Sequence, residues 1–309
     1  MRSGFTLEIG MPHLGRHNLS ESALFKAVGH DRWMQIEERG GTPTSLIRDE
    51  AGARLYATFF YLELNFPPQR PLAAYRENDA MRFRTTLAHH ARCYLDGRHT
   101  LDPDGGAWVR SSNAFTYPEG GPSKLAISPP ANVDFAAIPE LPEAAEPLDL
   151  CRRARARGVF FDPEPGDAEL FAGEREFAYE IDADRDLNGA GLVYFANFIS
   201  FLDLAERRLL SAPPRPVPAP LLDARSTYRR RIGYYGNARA DDRFLIRVRA
   251  AARMIEGAPG VPLLDLALHH AVTRSSDGKQ IVISSCRKVS RVGGEAGVAD
   301  WLRGAGLIA

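Results

Sequence analysis

The sequence predicts an α+β protein written twice, each half a strongly curved antiparallel sheet wrapped around one long central helix. Three observations predict it. A stretch rich in Pro, Glu and Ala between about 136 and 176 (IPELPEAAEPLDL, then FDPEPGDAEL) divides the 309 residues nearly in half. Each half repeats one order of elements: a short strand, a turn, a long helix, then strand-like runs bounded by turn residues. The helix of the second half is apolar on nearly every face, and such a helix must be enclosed by other structure.

These observations set the boundaries at 1–135 for an N-terminal module, 136–176 for a linker and 177–309 for a C-terminal module. In the first module a strand over Phe5–Ile9 leads through MPHLGRH into a helix over Leu19–Glu38. Asn18 followed by Glu21 has capping-box spacing, so Asn18 is expected to accept from the first turn's amides. TSLIRD, a turn at 50–52, ARLYATFFYLEL, AMRFRTTLAHHARCYL, a turn at Asp96-Gly97 and AWVRSSNAFTY follow. In the second module EFAYEIDA leads through DRDLNGAG into a helix over Leu192–Leu210. After the proline-rich SAPPRPVPAP come STYRRRIGYY, RFLIRVRAAARM, LLDLALHHAVTR, a turn at Asp277-Gly278 and KQIVISSCRKV. Period-2 and β-branched runs of this kind make antiparallel strands. Two such units in one chain form a double hot-dog.

Composition narrows the function. A hydrophobic fraction of 44% and a charged fraction of 25% suit a soluble globular protein. Lys+Arg and Asp+Glu both total 39, so no global field directs the chain to nucleic acid or an anionic membrane. Asn197, Ser200, Asp203 and Glu206 interrupt the most apolar segment, which is therefore not a membrane span. The start of the chain lacks the pattern of a signal peptide, and Cys93, Cys151 and Cys286 lie far apart with no CxxC. The expectation is a cytoplasmic protein with reduced thiols, no disulfide framework and no metal site. His89-His90 and His269-His270 lie in strand-like runs, where neighbours point to opposite faces, so neither pair chelates a metal alone. The arginine runs RRARAR (152–157) and YRRR (228–231) read as solvated faces, with the phosphates of coenzyme A or an acidic carrier protein as the functional alternative.

The segment DLNGAGLVYF (186–195) carries the chemistry. It is no dinucleotide fingerprint, since Leu-Val-Tyr stands where a third glycine belongs. A turn through Gly189, Ala190 and Gly191 exposes the first amides of an enclosed helix. Such donors can hold a thioester carbonyl and stabilise the oxyanion or enolate that forms there, with Asn188 adding an amide donor. Within ARLYATF, Arg54, Tyr56 and Thr58 share one strand face, while Leu55, Ala57, Phe59 and Tyr61 form an apolar one. A guanidinium two residues from a phenol favours the phenolate and can hold a substrate carboxylate. His13, in the turn before the first helix, and Asn18, which matches Asn188 in the repeat, complete the candidate substrate-binding set with Arg54, Gly189 and Gly191.

Two resemblances follow from these motifs. The run D-x-N-G-A-G-L-V-Y-F-x-N-F, with Asp203 and Glu206 further on, resembles the helix signature of hydroxybenzoyl-CoA-type thioesterases. Those enzymes carry a catalytic Asp where this chain has Asn188, so their usual hydrolytic route is not expected here. GMPHLGRHNLSESALFKAVGHDRW together with DEAGARLYATF is similar to the LnmK-like bifunctional acyltransferase/decarboxylases of polyketide assembly lines. That resemblance implies a double hot-dog in which a tyrosine, Tyr56 here, takes an acyl group from methylmalonyl-CoA. Carbon dioxide is then lost and propionyl passes to an acyl carrier protein. It implies no cofactor beyond the CoA thioester, which is the substrate, and makes acyl-CoA and a carrier protein the partners. Two alternatives stay open: a thioesterase or dehydratase with Asp186 or His13 as base, and a non-catalytic acyl-thioester binding module. The sheet edges are compatible with a homodimer.

Overall fold

The computed structural model describes residues 4–16, 18–102, 106–120, 124–143, 146–257, 260–295 and 297–308. The first half contains β1 (Gly4–Glu8), α1 (Glu21–Gly40), β2 (Tyr56–Asn65), β3 (Ala80–Thr85), β4 (Tyr94–Asp102) and β5 (Trp108–Pro118). A connecting helix, α2 (Glu146–Arg157), follows. The second half contains β6 (Arg175–Glu180), α3 (Asn197–Leu210), β7 (Ser226–Tyr234), β8 (Arg243–Glu256), β9 (Pro262–Arg274) and β10 (Gln280–Arg291), and a short helix α4 (Val298–Gly304) closes the chain. No described helix is long and apolar enough to cross a membrane.

The two halves have the same topology. Strand order is β1-β3-β4-β5-β2 in the first and β6-β8-β9-β10-β7 in the second, all neighbours antiparallel. β2 pairs with β7 from Asn65↔Arg229 to Tyr61↔Gly233, which fuses the halves into one sheet. The central pair, Glu63 and Arg231, is 168 residues apart, and Arg231 donates to Glu63 across it at 2.7 Å. A two-fold through that pair relates β2 to β7 at the same offset. The offset carries the irregularity at Phe60 in β2 onto that at Tyr228 in β7, so even the β-bulges are duplicated.

α1 and α3 lie on the inner face and share one core with both sheets, including Phe25 and Val28 of α1, Phe198 and Leu202 of α3, and Leu62, Ile246 and Leu268 of the strands. A bulge shifts the side-chain alternation by one residue. Leu55, Ala57 and Phe59 therefore face inward as the alternation predicts, but beyond the bulge Leu62 and Leu64 take that face. Tyr61, expected with the inner set, instead packs outward against Leu150, Cys151 and Phe160. The linker is thus a structured cover for the outer face. Its Asp167 pairs with Arg287 of β10 at 2.6 Å and its Glu164 with Arg253 of β8 at 2.7 Å.

Three further expectations change. Asp96-Gly97 is not a turn; both residues lie within β4. A Cβ at Gly97 would stand 2.1 Å from the Thr86 carbonyl oxygen and 2.4 Å from Nη2 of Arg32, so the glycine marks close approach by a buried guanidinium. Asp96 is held by Arg110 at 2.9 Å and Ser112 at 2.6 Å. The cap of α1 is Ser20, whose Oγ accepts from the Ala23 amide, rather than Asn18. The second long helix begins at Asn197, not Leu192.

Each half also hides a carboxylate facing a histidine between helix and sheet. Asp31 of α1 meets Nε2 of His99 on β4 at 3.1 Å, and Glu206 of α3 meets Nε2 of His270 on β9 at 3.1 Å. β4 and β9 hold the same place in their sheets. Around Glu206 the charge is dense: Lys288 binds it, Arg230 lies 3.5 Å away, and Arg230 also pairs with Glu21 from the first half. Thr227 donates to Glu21 at 2.9 Å, so the network links the start of α1 to β7. Glu206, His270 and Cys286 place donor atoms within 4.8 Å of one another, the spacing of a metal site. Lys288 already occupies the carboxylate, and burial pushes the Cys286 thiol well above its ordinary value, so this set does not suit a divalent ion.

Two measurements of stability follow. Gly97→Ala should lower the free energy of unfolding by about 1–3 kcal/mol in urea, the cost of overpacking beside a buried cation. Glu206→Gln should lower it by about 3–5 kcal/mol at pH 7, since it strands buried positive charge. Burial opposes the Glu206 carboxylate, but Lys288, His270 and Arg230 outweigh it and hold the group well below its ordinary 4.5. A depressed carboxyl stabilises fully above its unfolded value and loses that contribution as pH falls. The gap between wild type and Glu206→Gln should therefore narrow below about pH 4.5.

Candidate functional site

β2 pairs with β7 only as far as Tyr61. Residues 56–59 pair with β5 on their other side, where Tyr56 lies opposite Thr116, so their edge toward β7 is open and the sheet forks. A cavity of about 940 Å³ occupies this fork. Tyr56, Thr58, Thr116, Arg155 and Tyr235 line it from the outer face. Trp33, Phe59, Phe195, Phe198 and Tyr234 line it from the inner face, beside the two helices. The segment from Asn188 to Phe195 fills the remaining wall.

That segment is an irregular loop, tied by local hydrogen bonds. Oδ1 of Asn188 accepts from the amides of Ala190 (2.9 Å) and Leu192 (3.3 Å), an Asx-type turn. Gly191 has φ +69°, the left-handed region that favours glycine, and its amide donates to the Asn188 carbonyl at 2.9 Å. Asn237, just after β7, accepts from Val193 N at 3.0 Å and fixes the loop to the second sheet. With Oδ1 so engaged, the Nδ2 donor of Asn188 and the amide of Gly189 have no partner among the described residues, and both residues line the cavity. Gly191 does not line it.

The neighbouring carboxylate, Asp186, is spoken for. It is 2% exposed and accepts from Tyr179 OH at 2.7 Å, the Asp182 amide at 3.0 Å and Arg185 Nε at 2.9 Å. Burial works against its charge, but these donors, Arg185 foremost, hold it below the usual carboxylate range. It is a structural anion outside the cavity wall.

Four tyrosines line the cavity, and two have their hydroxyls engaged. Tyr234 donates to the Phe195 carbonyl at 3.0 Å and Tyr235 to the Cys151 carbonyl at 2.8 Å, and burial raises both phenols. Burial pushes Tyr194 up to about 12. The hydroxyl of half-buried Tyr56 has no partner among the described residues, and the Arg54 guanidinium lies 4.8 Å from its ring centroid. Of the other lining cations, Lys124 pairs with Glu119, while Arg274 and Lys279 pair with Asp277. Arg54 and Arg155 have no carboxylate partner among the described residues, and each stacks on a lining tyrosine, Tyr56 or Tyr235.

The structure thus brings Tyr56, Arg54, Asn188 and Gly189 to one cavity. It does not bring His13 there: Nδ1 of His13 accepts from the Gly10 amide at 3.1 Å, inside its own turn. Asn18 pairs with Gly15 in a short ribbon, and its side chain lies outside the described residues. The two-fold explains the asymmetry. A second cavity of about 440 Å³ is lined by Ala224, Ser226, Pro68 and Gln69. At the offset of 168 residues these are the counterparts of Tyr56, Thr58, Gly236 and Asn237. Among the described lining residues, a phenol at this position therefore exists in the larger site alone. Sequence reasoning missed Trp33, Phe195 and Tyr235, which carry no local signal beyond being aromatic.

No family model matches the sequence, and no curated protein matches it either. Among solved structures, a protein from Lactobacillus plantarum named as an oleoyl thioesterase superposes with a TM-score of 0.60 at 11% identity, over 95% of this chain and 96% of that one. An acyl-ACP thioesterase from Bacteroides thetaiotaomicron gives 0.51 at 13% identity, over 92% and 96%. A 12:0-ACP thioesterase from Umbellularia californica gives 0.51 at 9% identity, over 94% of each chain. At these identities the likeness defines the fold: this chain is a double hot-dog protein. The structures it resembles along their full length are named as acyl-thioester hydrolases, and none of the three as an acyltransferase/decarboxylase.

The loop geometry yields a test of its own. Asn188→Ala removes the acceptor shared by two amides and should lower the unfolding free energy by about 1–2 kcal/mol in urea. Asn188→Asp keeps an acceptor at that position and should cost less.

Proposed function

We propose that the chain is an acyl-thioester enzyme that takes a 2-carboxyacyl group such as methylmalonyl from coenzyme A, decarboxylates it, and delivers the product acyl group to a carrier protein. One observation carries this reading. The cavity wall offers a free phenol beneath an unpaired guanidinium, and opposite elements supply unpaired amide donors, yet among the described lining residues there is no histidine and no carboxylate except Asp277, which Arg274 holds below its usual range. Hydrolysis and dehydration both need a positioned base. In acyl transfer the departing CoA thiolate can take the phenol's own proton, and the loss of carbon dioxide that follows needs no base.

In the proposed sequence Oη of Tyr56 attacks the thioester carbonyl, the C–S bond breaks, and the phenol's proton leaves with the CoA thiol. Arg54 holds the substrate carboxylate. The bond from the α-carbon to that carboxylate then breaks and releases carbon dioxide. Its electron pair becomes an enolate on the tyrosyl ester, stabilised by Nδ2 of Asn188 and the Gly189 amide, and a solvent water protonates it at carbon, leaving hydroxide to balance as bicarbonate with the released carbon dioxide. The carrier's thiol attacks the ester and restores the phenol.

The experiment is incubation with methylmalonyl-CoA and a holo acyl carrier protein, followed by intact-mass spectrometry. The expected products are carbon dioxide, an acylated enzyme and propionyl-loaded carrier. Tyr56→Phe should abolish all enzyme acylation, and Asn188→Asp should lower turnover by about 10²–10³-fold, the effect of losing one charge-stabilising donor. Release of free methylmalonate without carbon dioxide would instead make the protein a thioesterase, the activity its structural neighbours are named for.

A further inference from the structure

We infer that Phe195, seated on Gly29, closes the inner end of the cavity and restricts the protein to short acyl groups. This deepens the acyl-thioester reading above and rests on it. The cavity runs from the outer face, where Arg54 and Arg155 flank Tyr56 and Tyr235, through the fork to the inner face between α1 and α3. An acyl group joined to Tyr56 therefore extends inward, toward a wall to which the opposing loop contributes Tyr194 and Phe195.

Phe195 reaches across from the second half to the first. A Cβ on Gly29 would stand 2.6 Å from its Cζ, closer than side-chain carbons approach one another, and 3.1 Å from its Cε1. The ring can touch helix α1 only because residue 29 has no side chain. It lies 4.2 Å, centroid to centroid, from Phe59, 4.7 Å from Tyr194, and at right angles to Trp33 at 6.5 Å. The backbone behind it is fixed as well: the Phe195 carbonyl accepts from Tyr234 OH, and the Ala196 carbonyl accepts from Ser22 of α1 at 2.9 Å. The plug is an aromatic stack supported from both halves, and a ring that swings away from Gly29 gives up its contact with Phe59.

Chain length follows. A three-carbon acyl group needs only the space between Tyr56 and the stack, whereas a ten-carbon chain must displace Phe195. Each methylene that finds no room costs about tenfold or more in discrimination. The long-chain activities named for two of the structural neighbours, oleoyl and 12:0, are thus not expected of this chain.

The test measures binding of non-hydrolysable dethia analogues of propionyl-CoA and decanoyl-CoA by calorimetry, so that it does not depend on turnover. Wild type should bind the propionyl analogue at least about tenfold more tightly than the decanoyl one. Phe195→Ala should tighten decanoyl binding by about tenfold or more, with propionyl binding changed by less than about threefold. Phe195→Leu, which keeps an apolar side chain if the alanine variant fails to fold, should give a smaller shift in the same direction. Equal binding of both analogues to wild type, or an unchanged ratio in the variants, overturns the plug and leaves the acyl-thioester reading standing. Absence of binding by either analogue overturns both.

Discussion

The site depends on where one strand pairing stops. β2 and β7 share only the stretch from Tyr61 to Asn65, yet β2 extends back to Tyr56 and stays paired with β5 on both sides of the bulge at Phe60. Had the two strands continued together, the two sheets would form one unbroken surface with no passage between its faces. The bulge at Phe60 ends the partnership and turns the strand, which is a recurrent use of bulges beside functional sites. Everything chemical follows from that opening: the phenol at the strand's free end, the loop that fills the fork, and the route from the outer mouth to the space between the helices.

Duplication supplied the frame, and departure from it supplied the site. The same strand order, the same bulge and the same buried carboxylate–histidine contact appear in each half. The forks are not equivalent. One carries Tyr56 and a cavity of about 940 Å³, the other Ala224 at the matching position and about 440 Å³. The larger fork draws on both halves at once, with Tyr56 from β2 and the Asn188–Phe195 loop from the segment before α3, so neither module holds it alone.

Buried charge is the cost of the interior's second function, joining the halves. Glu21, Arg230, Glu206 and Lys288 are nearly or fully excluded from water, a situation that favours the folded state only when every charge has a partner. Glu21 comes from α1, while Arg230, Glu206 and Lys288 come from the second half. The network therefore works beside the apolar core as a register pin between the modules. It also explains why a helix that looks wholly enclosed contains Glu206: the residue faces inward toward charge, while Asp203 one turn earlier remains partly solvated.

By itself the sequence determined the double hot-dog, since strand alternation and a repeated element order around two long helices are local patterns with one economical solution. The second helix is not apolar all round as its sequence suggests: Ser200, Leu204 and Arg208 face solvent. It also placed Arg54 and Tyr56 on one face and marked the Asn188–Gly189 turn, because i and i+2 spacing and Gly/Asn turn chemistry are written within a few residues. What only the tertiary structure decided was which features meet. Asp96-Gly97 reads as a turn until Arg32 from a distant helix is seen lying against the glycine. DLNGAGLVYF reads as the start of a helix until Asn188, Gly191 and Asn237 are seen to hold it as a loop, with the helix beginning at Asn197. His13 reads as a substrate contact until its ring is found bonded within its own turn. Register slips, close approaches and loop anchoring arise from contacts between residues far apart in the chain, and no local pattern encodes them.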